Sequence, residues 1–223
     1  MVVLGLLIGL QLNDWAQARQ DRQLVANYYQ QLVLDLEMDI GMGEAASDYA
    51  DNLDRQAAIV GRVLVGDTVS DVGDGDLLRA IVTAGYSFRP FTNRQTYDEL
   101  INTGSLGLIH DVEVKRAIGF YYIRRKNARQ WDALVQHEQK AYRDAIRGVL
   151  TPEQMRWVRM NLGADRTPLP KVERNELLAN VQRREAIGAA LSPMAGVQAR
   201  LRDQGSGMQE EARALIDILR AGL

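Results

Sequence analysis

The sequence predicts an all-α fold, a bundle of long antiparallel helices whose first helix is continuous with an N-terminal membrane helix. Apolar residues recur at helical spacing along most of the 223 residues, and no stretch shows the alternation of a half-buried strand. The connections between helical stretches are short, as they are in antiparallel bundles. We therefore expect residues 1–15 to form the end of an anchor helix and residues 16–223 to form one helical domain.

The N-terminal segment has the composition of a membrane-helix end. Its first twelve residues carry no charge, and Trp15 follows at the polar boundary, where interfacial aromatic residues are enriched. Gly5 and Gly9 have the spacing that lets two membrane helices approach closely. The predicted anchor residues are Val2, Val3, Leu4, Gly5, Leu6, Leu7, Ile8, Gly9, Leu10, Leu12 and Trp15.

This apolar run is short for a membrane span. Val2 to Leu12 is eleven residues, or about 16 Å of helix, whereas the hydrocarbon core is about 30 Å thick. The sequence favours a longer helix completed by upstream residues. Two alternatives stay open: the apolar end is buried in the bundle or an oligomer interface, or it belongs to a signal peptide cleaved after Ala16-Gln17-Ala18.

The helical pattern continues beyond the anchor. An apolar stripe predicts a helix to about residue 40, and Gly41 and Gly43 are expected to end or kink it. A second helix is predicted over residues 44–65, followed by an acidic loop. Asp74 or Asp76 is a suitable N-cap for a short helix that ends near Ala84. The stripe residues are Val25, Tyr29, Leu32, Leu36 and Ile40.

The remaining helices are marked by their caps. Thr92 or Asn93 opens a short helix to about residue 102, and Asp111 caps the longest regular stretch, predicted over residues 112–149. Thr151 to Gln154 matches a capping box with proline at the first helical position, so a helix should run to about residue 161. A helix is predicted over residues 172–191, and Ser192-Pro193 either caps a new helix or kinks the same one on the way to residue 219.

Composition excludes several chemistries. The net charge of −2 provides no field to gather phosphates, so no nucleic-acid partner is expected. Zero cysteines and two histidines remove thiolate and histidine-rich metal sites, and no metal or other cofactor is expected. The acidic loop lacks calcium-loop spacing and is interpreted as a solvated turn. Its acids are Asp67, Asp71, Asp74 and Asp76.

The densest basic run is Arg124-Arg125-Lys126 with Arg129. It is interpreted as a solvated helix face, and the alternative is a contact with an anion or lipid headgroup. Arg125 falls on the apolar stripe of its helix. We therefore expect it to pair with a buried acid, for which Asp35, Asp98 and Glu99 are the candidates.

Two segments resemble an uncharacterised bacterial family, a domain of unknown function. The first is Val3 to Trp15, and the second is Thr96 to Ile109, which is followed by Tyr121-Tyr122 at a similar distance. The resemblance implies single-pass proteins with an N-terminal anchor and a helical extracytoplasmic domain. It therefore implies a location at the bacterial inner membrane, with most of the chain in the periplasm. Family members carry residues before the anchor, usually with basic ones, whereas this chain begins inside it.

The second segment is a central motif of polar and apolar residues. Tyr97, Leu100 and Ile101 are expected to face the core, and Gly104 is expected to take a positive φ. The motif is interpreted as a structural plug of the bundle. The alternative is a small pocket lined by Thr96, Glu99, Asn102 and Ser105. The motif residues are Thr96, Tyr97, Glu99, Leu100, Gly104, Leu106, Leu108 and Ile109.

The function expected from these patterns is non-enzymatic. A membrane-anchored helical domain would act as a protein-interaction, scaffold or sensor-type module. Its expected partners are the lipid bilayer and a protein, which is either a second copy or another chain. The alternative is a small-ligand binder or enzyme with a polar pocket near the central motif.

Overall fold

The computed structural model describes residues 2–127, 131–163 and 166–222, with side chains from residue 11 onward except at 127. The predicted anchor side chains from Val2 to Leu10, and the basic-run residue Arg129, therefore lie outside the described side chains. Eight α-helices are described: α1 (Val2–Leu64), α2 (Asp74–Thr83), α3 (Gln95–Asn102), α4 (Val112–Asn127), α5 (Asp132–Ala145), α6 (Pro152–Met160), α7 (Arg174–Gln182) and α8 (Glu185–Ala221). A 3₁₀ turn covers Ser105–Leu108.

The all-α prediction is confirmed. The described ranges contain helices and connecting turns and no strand, which is consistent with a helical bundle. The capping box is confirmed as well: the Thr151 hydroxyl accepts a hydrogen bond from the Gln154 backbone N–H, and the Gln154 side chain accepts one from the Thr151 N–H. Asp111 likewise accepts from the N–H groups of Glu113 and Val114 at the start of α4.

Several predicted helix boundaries are wrong. Helix α1 continues through Gly41 and Gly43, because a glycine weakens a helix interior without forbidding it and Leu36 and Ala46 on either side are fully buried. Helix α8 likewise continues through Pro193 as a single helix.

The single helix predicted over residues 112–149 is divided into α4 and α5. Asp132 lies in the first turn of α5, where a carboxylate complements the positive helix end. The helix predicted over residues 172–191 is also interrupted. Helix α7 ends at Gln182, and Arg184 between the two helices donates to the backbone carbonyl of Arg147 at 2.6 Å. Its side chain therefore satisfies an acceptor beyond the end of α5.

The chain divides into two compact units, so residues 16–223 form two bodies rather than the single domain that was predicted. Unit 1 comprises residues 1–43, 91–129 and 207–223, and unit 2 comprises residues 44–90 and 130–206. The boundaries fall inside α1 and α8, between α2 and α3, and between α4 and α5. Each unit has its own apolar core.

The core of unit 1 joins residues from α1, the central motif, α4 and the end of α8. Leu32, Leu36, Leu100 and Ile118 are fully buried in it. The core of unit 2 is larger and includes the apolar face of α2, with Leu77, Leu78 and Ile81 fully buried. Tyr142 is also fully buried there, and its hydroxyl donates to the Ile81 carbonyl at 3.0 Å.

Candidate functional site

Unit 1 contains a buried polar cluster, defined here as Asp35, Asp39, Asn93, Thr96 and Tyr121. Asp35 and Asp39 are one helical turn apart on α1, beside the apolar stripe of that helix. Both carboxylates are buried, and Asp39 is completely so. Since carboxylates are almost never fully buried without partners, their contacts determine what the cluster can do.

Asp35 holds the start of α3 from a different helix. One of its oxygens accepts from the Asn93 side-chain amide at 2.7 Å, and the other accepts from the Thr96 backbone N–H at 3.1 Å. The first N–H groups of a helix have no partner within the helix. Asp35 supplies one such partner and places negative charge at the positive end of α3.

Asp39 is held by two hydrogen bonds. Its oxygens accept from the Asn93 backbone N–H and from the Tyr121 hydroxyl, each at 2.7 Å. Burial away from water disfavours the ionised form and raises the pKa of Asp39 from 3.8 to about 6, although the two hydrogen bonds lower it in part. Burial and the nearby Asp39 charge also raise the pKa of Tyr121, which therefore stays protonated and acts as the donor.

A pair of stacked rings lies next to the cluster. The rings of Tyr97 and Tyr122 stack with centroids 4.2 Å apart, and the Arg94 guanidinium lies 5.2 Å from the Tyr97 ring centre. Tyr122 is fully buried, and its hydroxyl finds no hydrogen-bond partner among the described residues. Burial is also the main cause of the raised pKa of Tyr122.

The predicted partner of Arg125 is wrong. Arg125 pairs with Glu211 on α8 rather than with Asp35, Asp98 or Glu99. Its side chain is only 11% exposed, and this desolvation lowers the pKa of Arg125. Arg124 contacts the same carboxylate at 2.6 Å, so these two members of the basic run bind one acid within unit 1.

The central motif divides between core and surface. Leu100 and Ile109 are buried in the core of unit 1, and Thr96 is buried at the start of α3. Tyr97 and Leu106 pack against that core, and Leu108 is half-buried. Gly104 has φ 73°, the left-handed conformation that ends many helices. Ile101 is 48% exposed, so its predicted core position is wrong.

The polar pocket considered for the motif is not formed by its four candidate residues. Thr96 is buried, Glu99 and Asn102 are exposed, and Ser105 is half-buried. The Glu99 carboxylate accepts from the Tyr28 hydroxyl at 3.1 Å, whereas Ser105 bonds to Thr103. None of the four lines either cavity described in the structure.

The four acids of the acidic loop each form an ion pair with an arginine. Arg62 binds both Asp67 and Asp71, at 2.7 Å each. Arg174 binds Asp74 at 2.5 Å, and Asp76 pairs with Arg79 at 2.8 Å. These pairs tie the loop to neighbouring helices within unit 2. Within the described ranges, no group of three or more acidic or histidine side chains converges as a metal site would require.

The N-terminal segment forms the first turns of α1. Residues 11–20 are all exposed; Leu12 is 62% and Trp15 58% exposed. The Arg19 guanidinium lies 5.8 Å from the Trp15 ring centre. No helix in the described part of the chain contains an eighteen-residue stretch apolar enough to cross a membrane.

Sequence reasoning missed Asp39, Tyr121 and Asn93 as a set. One available signal was the position of Asp39, three residues after Leu36 and seven after Leu32, on the apolar side of α1.

The comparisons with protein-family models, curated proteins and solved structures gave no match to this chain. The resemblance to an uncharacterised bacterial family therefore stays a prediction.

Proposed function

We propose that this protein is a membrane-tethered helical module that acts through contact with another protein. The observation that carries the proposal is the exposed stretch of α1 over residues 11–20. Every side chain in that stretch is exposed, and among the described side chains of α1 the first buried ones are Tyr28 and Tyr29. The helix therefore leaves the core of unit 1 with its most apolar stretch at the far end.

The composition of that stretch supports lipid as its partner. Burying a leucine or isoleucine side chain contributes roughly 1.5–3 kcal/mol, and residues 2–12 contain six of them without a charge. Eleven residues of helix extend about 16 Å, which reaches about the middle of a 30 Å hydrocarbon core. Trp15 then lies near the headgroups, where indole rings are enriched.

The second part of the proposal, protein contact, rests on exposed apolar residues of unit 1. Leu34 and Met38 lie one turn apart on α1 and are 61% and 58% exposed. Residues four apart share a helix face, so the two side chains form one small apolar surface. The proposed location is the bacterial inner membrane, with both units in the periplasm, as the family resemblance implies.

Vesicle flotation tests the tether. The full chain should float with phosphatidylcholine vesicles, whereas a Leu7→Asp/Leu10→Asp variant should remain in the dense fraction, because a charge in hydrocarbon is costly. The matched control, Gln20→Asp/Gln23→Asp, adds the same charge to exposed positions of the same helix and should float. Failure of the unmodified chain to float, or flotation of the Leu7→Asp/Leu10→Asp variant, would refute the tether.

Site-specific crosslinking tests the protein contact. Because the chain has no cysteine, Met38→Cys provides a single attachment point for a photoactivatable crosslinker. In intact membranes, that variant should give a discrete adduct, either with a second copy or with another protein. Gln31→Cys, at an exposed polar position of α1, is the control and should give none. Equal labelling from both positions would contradict a specific contact at Leu34 and Met38.

A further inference from the structure

Unit 2 contains a cavity that the proposed tether does not use. Its volume is about 310 Å³, whereas a cavity in unit 1 has a volume of about 490 Å³. The smaller cavity lies where the end of α2, the end of α5 and helix α6 meet, and it combines an apolar floor with arginines. Apolar cavities with a few convergent polar groups are the usual form of small-ligand sites.

The floor of this cavity is made of core residues. Val82 and Ile146 are 2% and 7% exposed, and Met155 packs against the core of unit 2. The floor therefore belongs to the same apolar core as Tyr142 and Ile81. An apolar group placed on it would be removed from water.

Three arginines line the same cavity: Arg143, Arg147 and Arg159. Arg147 pairs with Asp144 at 2.7 Å, but Asp144 also binds Lys140 at 2.6 Å. Arg143 and Arg159 form no ion pair within the part of the chain that the structure describes. No carboxylate is among the residues that line the cavity. Asp144 offsets part of the charge of Arg143 and Arg147 from outside the lining, so the cavity wall itself carries positive charge although the chain as a whole carries −2.

We infer that this cavity binds a small amphipathic carboxylate, with its apolar body on the Val82–Ile146–Met155 floor and its carboxylate at Arg143 and Arg159. A guanidinium presents paired N–H donors that match a carboxylate. The floor alone would accept any apolar molecule, and the arginines alone would attract any anion. Their juxtaposition at one cavity selects a ligand that has both parts.

Titration of the full chain with octanoate below its micelle concentration tests the inference. Octanoate should bind and should shift the methyl resonance of Met155. Octan-1-ol, which lacks the charge, and inorganic phosphate, which lacks the tail, should both bind more weakly. Across butanoate, hexanoate and octanoate, affinity should rise about fourfold per methylene that reaches the floor. Added salt should weaken octanoate binding, because it screens the arginine charges.

Single arginine substitutions on α5 and α6 distinguish binding at the site from a general effect of charge. Arg159→Gln should lower octanoate affinity about fivefold, the upper value for a solvent-exposed ion pair, and Arg143→Gln should do the same. Arg156→Gln is the matched control, because Arg156 is also exposed on α6 but does not line the cavity. All three positions are exposed, so circular dichroism should show unchanged folding.

Four results would overturn the inference: no octanoate binding, equal affinity for octan-1-ol, equal affinity for phosphate, or equal weakening by Arg156→Gln. Failure of the vesicle test would not affect this site, because its residues all belong to unit 2.

Discussion

Asp39 should make the stability of unit 1 fall as the pH rises from about 4 to about 6. In the folded protein its pKa is raised to about 6, compared with the ordinary value of 3.8. Between these two values the folded protein holds a proton that the unfolded chain has released. The free energy of unfolding therefore decreases with pH across this window, which is opposite to the effect of a carboxylate stabilised by an ion pair.

The magnitude follows from the pKa difference. From 3.8 to about 6 is about two units, and each unit corresponds to about 1.4 kcal/mol, so the expected loss is about 3 kcal/mol. Ion-paired acids act in a lower window. The two hydrogen bonds from Arg62 lower the pKa of Asp71 to about 2, so its contribution to stability is lost only as the pH falls from about 4 to about 2.

Hydrogen exchange of the buried α4 amides is the assay, because it reports on unit 1 separately from unit 2. Protection factors around Ile118 should correspond to an opening free energy that falls by about 3 kcal/mol between pH 4 and pH 7. Asp39→Asn should remove this dependence, since the amide carbonyl can still accept from the Asn93 N–H but cannot ionise. Glu37→Gln, on the exposed face of the same helix, is the matched control and should keep the wild-type slope.

Two results would refute this reasoning. The first is an opening free energy that is constant or rises between pH 4 and pH 6 in the wild-type chain. The second is a wild-type slope retained by Asp39→Asn, which would assign the titration to another group. A direct carbon-13 titration of the Asp39 carboxyl should give a midpoint near the pKa of about 6.

Three further predictions concern other positions. Tyr121→Phe should destabilise unit 1 by about 1–3 kcal/mol, because the Asp39 carboxylate loses a hydrogen-bond donor. Tyr122→Phe should be neutral or slightly stabilising, because the Tyr122 hydroxyl has no partner among the described residues. Hydrogen exchange in α4 measures both effects, and an equal loss of stability in the two variants would contradict this prediction. Gly85→Ala should destabilise unit 2 by about 1–3 kcal/mol, since a methyl group there overlaps a buried tyrosine ring, whereas Gly61→Ala, with nothing within 4 Å, should stabilise α1 by about 0.5–1 kcal/mol. Thr151→Ala should destabilise the protein by about 1 kcal/mol through loss of the capping box. Urea denaturation followed by tryptophan fluorescence measures Gly85→Ala, Gly61→Ala and Thr151→Ala. An unchanged urea midpoint for Thr151→Ala would contradict the stabilising role of the cap.

Local signals in the sequence were sufficient for the starts of α4 and α6 and for the end of α3, but not for the N-caps of α2 and α3, which are Gly73 and Arg94. Asp111 and Thr151 each accept a hydrogen bond from a backbone N–H two or three residues further along the chain. Because both partners lie within one short stretch of sequence, the motif can be recognised from the sequence alone. The same holds for Gly104, whose positive φ ends α3 by a local backbone preference. Periodicity also gave the helical class, because it reflects which face of each helix is removed from water.

Tertiary packing decided where helices continue and which polar groups meet. Gly41 and Gly43 are weak local signals that burial on either side of them overrides, and such tertiary overrides are common. Asp39 and Tyr121 are 82 residues apart, and Arg125 and Glu211 are 86 residues apart. Periodicity determines the buried face of a helix but not the helix against which that face packs, so only the folded chain shows that Asp39 is held by Tyr121 and that Arg125 binds Glu211.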